Sequence, residues 1–119
     1  GTAVLEGTWT ISGQGTREGC RNPQLNGDFT LGPSTALSVA QGGADGAQLT
    51  LSSPVSSFAL KGEVTGSCVE LDTEEDWRGA VIMRSYSGMV TYSGDIEGTF
   101  TGNGPEGCNI WGEFTVQID

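Results

Sequence analysis

The chain contains no histidine and only one lysine, Lys61. Without histidine, neither a Ser-His-Asp nor a Cys-His catalytic arrangement can be built. Basic residues number five against fifteen acidic ones, for a net charge of −10. Binding to nucleic acid needs clustered Lys and Arg to neutralise phosphates, so this balance argues against it. It argues equally against an anionic membrane surface. No apolar run approaches the length of a membrane span, and no membrane insertion is expected. The cysteines, Cys20, Cys68 and Cys108, form no C-x-x-C pair, which removes the usual Cys/His zinc sites. No Gly-rich loop carries a phosphate-binding lysine; the Gly-x-Gly pairs at 13–15 and 102–104 belong to no nucleotide motif. No cofactor is implied, and no enzyme is expected. The dominant effect of the negative charge is solubility.

What the chain has in excess is glycine, 20 of 119 residues, together with Ser, Thr, Val and aromatics. That balance suits many short strands joined by tight turns better than helices. The length fits a single domain over residues 1–119.

One phrase recurs: LEGTWT from Leu5, LNGDFT from Leu25, LKGEVT from Leu60, IEGTFT from Ile96 and IWGEFT from Ile110. It reads apolar, x, Gly, x, apolar, Thr. Strand alternation puts Leu5, Gly7, Trp9 and Ile11 on one face, and likewise Leu25, Gly27, Phe29 and Leu31. The same holds for Leu60, Gly62 and Val64, for Ile96, Gly98 and Phe100, and for Ile110, Gly112, Phe114 and Val116. Each copy thus has a greasy face with a missing side chain in its middle. Glycine inside a strand costs stability, so five at one register need a reason. Inward glycines let a sheet coil sharply and leave room for a bulky neighbour to lie across the gap, as closure into a barrel requires. The phrase therefore predicts an all-β fold, a small antiparallel up-and-down barrel of about eight to ten strands. Two of the glycine intervals are close to 36 residues and keep a three-fold, trefoil-like arrangement open; the others do not fit it.

Further strands are expected at ALSVAQ and AQLTLSS, joined by GGADG, and at CVELD after the turn Gly66–Ser67. AVIMRSY and MVTYS read as a hairpin turning at Ser87–Gly88. Thr73 to Asp76, ahead of Trp77, resembles a capping box and predicts one short helical turn near 73–79.

The loops GQGTREGC, ending at Cys20, and GNGPEGC, ending at Cys108, echo each other, each between two copies of the phrase. In a closed barrel the first and last strands are neighbours, which favours a Cys20–Cys108 disulfide. Cys68 is then the spare, expected to be a buried small hydrophobe, the common fate of free thiols. Cys20–Cys68 and Cys68–Cys108 stay open at this level. Spaced cysteines in a small acidic β-protein fit a secreted or periplasmic chain, or a lipoprotein with its anchor removed.

Candidate contact residues are few. Trp111 takes the outward position filled by Glu6, Asn26, Lys61 and Glu97 in the other copies, which suits a contact anchor. Trp77 beside the acidic run, and Arg17 and Arg21 flanking Cys20, complete the set. Asp72, Glu75 and Asp76 are weak candidates for a metal such as calcium, although their spacing matches no EF-hand loop.

LEGTW, with its tryptophan in the first strand after a glycine, resembles the opening of calycin-type barrels, the group of lipocalins and avidins. The plan of antiparallel strands resembles them too, and also small secreted bacterial β-barrel proteins. The resemblance implies a protein that encloses a small apolar ligand and carries over no binding residues. From the residues themselves the first expectation is a binding or interaction module of unknown partner, protein or small molecule, working through loops and outer face. A carrier with an internal pocket and an inhibitor of a secreted hydrolase are the alternatives. Against a pocket, Trp9, Phe29, Phe58, Phe100 and Phe114 are large enough to fill a narrow barrel.

Overall fold

The structure, a computed structural model, describes residues 2–53, 59–77 and 79–119, without the side chains of Ala59 and Trp77. Phe58 lies outside the described residues. The strands are β1 (Gly7–Glu18), β2 (Gly27–Leu31), β3 (Leu37–Gly42), β4 (Gln48–Ser52), β5 (Ala59–Thr65), β6 (Cys68–Trp77), β7 (Ala80–Val90), β8 (Ile96–Asn103) and β9 (Asn109–Ile118). All neighbours are antiparallel, and the order runs β1-β3-β4-β5-β6-β7-β8-β9 and back to β1. Eight strands thus close an up-and-down barrel, and β2 is an extra strand beside the second half of β1. Sequential closure leaves no three-fold arrangement.

β2 and β3 together act as one broken strand along β1. β2 pairs with Gly13–Arg17 and β3 with Gly7–Trp9. Ser34 bridges the break: its amide donates to the Ile11 carbonyl at 2.8 Å and its Oγ accepts from the Ile11 amide at 2.9 Å. Leu25, the head of the second phrase, sits in a 3₁₀ turn (Pro23–Leu25) rather than in a strand.

The faces follow the phrase. Trp9, Ile11, Leu60, Val64, Ile96, Phe100, Ile110, Phe114 and Val116 are buried inside. Trp9 is fully buried, and its indole N–H donates to the Leu5 carbonyl at 2.8 Å, so no polar group is orphaned there. Tyr86 packs edge-on against Phe114 at 5.2 Å and beside Phe100 at 5.5 Å. This aromatic group fills the barrel centre.

The inward glycines do what closure demands. A Cβ on Gly112 would meet the Gln14 carbonyl, Gly15 Cα at 2.6 Å and Phe100 Cζ at 2.8 Å. One on Gly15 would meet the rings of Phe100 and Phe29, each at 2.8 Å. Phe100 therefore lies across two adjacent glycines. Leu71 lies across Gly62 in the same way, at 2.6 Å.

Two expectations are corrected. Residues 73–77 are not a helical turn: they continue β6, paired residue for residue with β7 from Thr73↔Arg84 to Trp77↔Ala80. Long-range pairing outweighs the local capping signal. Ser87–Gly88 is not a hairpin either. β7 runs unbroken from Ala80 to Val90, and Gly88 is another inward gap, with Phe114 Cζ 3.1 Å from where its Cβ would be. The chain reverses instead between Val90 and Ile96, where the Thr91 amide donates to the Asp95 carbonyl at 2.7 Å.

Cys20 and Cys108 form a buried disulfide. It joins the loop after β1 to the loop before β9, at the end of the barrel where β1 finishes. Cys68 is exposed rather than buried, because β6 turns Val69 and Leu71 inward and so turns Cys68 outward. It also lies at the opposite end: the Gly66 carbonyl in the adjoining turn accepts from the Ala3 amide, near the start of β1.

Two outcomes check this account. Gly112→Ala is expected to cost about 2 kcal/mol or more in urea unfolding, by overpacking. Gly42→Ala, where a Cβ meets nothing within 4 Å, is expected to stay within about 0.5 kcal/mol. Equal effects would refute the close-approach role of Gly112. Replacing Cys20 and Cys108 together by Ser is expected to cost about 3–5 kcal/mol, the entropy of so long a loop. Cys68→Ser is expected to leave the unfolding midpoint in place.

Candidate functional site

Strand register assembles the outer face from residues far apart in sequence. Across β2, β1, β9 and β8 one row of outward side chains reads Asp28, Thr16, Trp111, Thr101. The next reads Thr30, Gln14, Glu113, Thr99. Between them lie Phe29, Gly15, Gly112 and Phe100, whose side chains turn inward where they have any. The floor between the rows is therefore main chain. The two rows wall an open groove of about 760 Å³ that runs across the strands. Three strand spacings make it roughly 14 Å long.

Trp111 stands in this groove with 41% of its surface exposed. Within the walls the one side-chain hydrogen bond among the described residues is Thr16 Oγ1 to Asp28 Oδ1, at 3.2 Å. Among the described residues the side chains of Gln14, Thr30, Thr99, Thr101 and Glu113 have no hydrogen-bond partner. Similar grooves recur elsewhere on the barrel, walled by Glu, Thr and Gln, with Lys61 and Asp72 in one of them. None of those carries an outward aromatic side chain among the described residues.

The other sequence candidates do not join Trp111. Arg17 points to the inner face, its guanidinium 4.4 Å from the centre of the Phe29 ring. There it caps the aromatic filling by a cation–π contact. Arg21 sits in the loop after Cys20, 3.9 Å from Glu106 in an exposed ion pair worth little energy. Its amide also donates to the Glu106 carbonyl at 2.8 Å, so Arg21 ties the two echoing loops together. Trp77 ends β6, and its side chain lies outside the described residues.

The acidic run is strand, and alternation splits it. Asp72 and Asp76 face outward; Asp72 accepts from Ser85 Oγ at 2.9 Å and Asp76 from the Gly79 amide at 2.9 Å. Glu75 faces inward. The three carboxylates do not converge, and no group of three or more metal-ligating side chains forms among the described residues.

Sequence reading missed a second feature. β3, β4 and β5 are short, whereas β6 and β7 run on to Trp77 and Ala80. Among the described residues the wall is lower on that side, at the mouth of the barrel between β2 and β6. A cavity of about 200 Å³ lies there, walled by Ile11, Leu31, Leu37, Leu60 and Tyr86. Thr73, Glu75 and Arg84 also face it, with Ser34 and Gly32 at the strand break. The Nε of Arg84 is buried and has no hydrogen-bond partner. The signal was present in AVIMRSY: Arg84 shares the parity of buried Ile82 and Tyr86, so alternation alone puts it inside.

No known protein family matches the chain, nor does any curated protein or solved structure.

A buried donor without a partner costs stability. Arg84→Met is therefore expected to leave folding stability unchanged or to raise it by about 1 kcal/mol, measured by urea unfolding of the protein alone. A loss of more than about 2 kcal/mol would show that Arg84 serves the fold.

Proposed function

We propose that this chain is a non-catalytic binding module of an oxidising compartment, and that the groove at Trp111 holds its ligand, a neutral glycan. The observation that carries this reading is one flat, exposed indole set in two rows of hydroxyl, amide and carboxylate side chains. Sugars present a C–H face that packs on an indole and a rim of hydroxyls that both donate and accept. The groove offers the same two chemistries in the same arrangement. Its main-chain floor lets a flat ring approach closely.

Charge narrows the class. Asp28 and Glu113 in the walls, and a net charge of −10, disfavour anionic polymers. Six of the eight outward wall residues are neutral, so a polycation finds few partners. The Cys20–Cys108 disulfide supports a secreted or periplasmic setting. The aromatic filling of the barrel centre supports the outer face over the lumen as the main contact surface.

Titration with soluble oligosaccharides such as cellotriose, xylotriose and chitotriose, followed by tryptophan fluorescence, tests the reading. At least one is expected to bind saturably, insensitive to salt. Trp111→Ala is expected to weaken that binding at least tenfold while moving the unfolding midpoint little. No binding by neutral glycans, or binding only by basic peptides with steep salt dependence, would overturn it.

A further inference from the structure

The mouth cavity holds two opposite charges that do not pair with each other. Arg84 and Glu75 both face it, yet the ion pair the described residues form is Arg21–Glu106. On the sheet Arg84 stands opposite Thr73, and Glu75 stands opposite Ile82, one inward step further along β6. Among the described residues Glu75 has no hydrogen-bond partner, and neither does the buried Nε of Arg84. Arg84 is moreover one of five basic residues in a chain with fifteen acidic ones. A guanidinium whose Nε is buried without a hydrogen-bond partner, in a largely apolar recess, is costly unless a ligand supplies that partner.

We propose that the barrel mouth is a second binding site, for a small zwitterion: an α-amino acid with a branched apolar side chain. Arg84 receives the carboxylate, for which its planar fork is suited. The Oγ of Ser34 accepts from the Ile11 amide, so its own proton is free for that carboxylate. Glu75 takes the ammonium, with Thr73 beside it. The side chain of the ligand packs against Leu31, Leu37 and Leu60.

Size and charge exclude the neighbours of this class. About 200 Å³ is the bulk of roughly seven water molecules, suited to a leucine-sized molecule and too small for a long acyl chain. A plain hydrocarbon leaves Arg84 unpaired. A simple carboxylic acid brings a second negative charge to Glu75. The inference rests on the mouth alone and is independent of the reading of the outer groove.

Isothermal titration of the intact chain with L-leucine is the test, compared with 4-methylpentanoate, which lacks the ammonium, and 3-methylbutylamine, which lacks the carboxylate. Leucine is expected to bind saturably, and each analogue at least tenfold more weakly. Arg84→Gln is expected to abolish leucine binding. Glu75→Gln is expected to weaken leucine while leaving 4-methylpentanoate unchanged or tighter. Glu75 is exposed, so its variant carries the test even if Arg84→Gln fails to fold. Absence of leucine binding, or 4-methylpentanoate binding as tightly as leucine, would overturn the proposal.

Discussion

Strands in this barrel approach so closely at their inward glycines that main chain packs on main chain. At Gly13, Gly98, Gly102 and Gly112 the position of a Cβ is already taken by a carbonyl of the next strand. Everything else depends on this constraint. It lets a narrow sheet close, and it makes space for the tip of the Phe100 ring over Gly15 and Gly112. The aromatic centre is therefore a product of the glycine positions as much as of the aromatic residues. Closure pairs every strand of the ring on both sides; among the described residues β2 has β1 as its one strand neighbour.

The same geometry divides the molecule into regions with different chemistry. Along β8 and β9 the inner face carries large apolar groups, while the outer face carries Thr, Glu and one tryptophan. Along β6 and β7 the inner face changes character with height. Val69, Leu71 and Tyr86 are buried low in the barrel; Thr73, Glu75 and Arg84 follow, with buried Ile82 opposite Glu75. At the mouth, polar and apolar inward side chains therefore line one cavity.

Much of the fold was legible in the sequence because alternation is a local property. The phrase gave the correct face for Leu60, Gly62, Val64, Ile96, Phe100, Ile110 and Phe114, and it placed Trp111 outside. The echo between the Cys20 and Cys108 loops gave the disulfide. The misreadings came where a local signal had two meanings. Ser87–Gly88 suits a turn as well as an inward gap, and Thr73–Asp76 suits a cap as well as a strand edge. The site was less legible, since Gln14, Asp28, Thr99 and Glu113 reach one groove through register between strands far apart in the chain. Arg84 was within reach, because its parity alone places it among inward residues.

The long β1–β9 ladder has a mechanical consequence. Its free ends lie together at one end of the barrel, where the Asp119 amide donates to the Thr8 carbonyl at 2.9 Å. Ten residue pairs above, the ladder ends at Glu18↔Asn109, and the Cys20–Cys108 bond lies just beyond. Force applied through the two ends loads the hydrogen bonds one at a time, as in a zipper. Peeling stops at the covalent bond, which then bears the whole tension. The segment between the two cysteines, which holds β2 to β8, is outside the load path and cannot be drawn out.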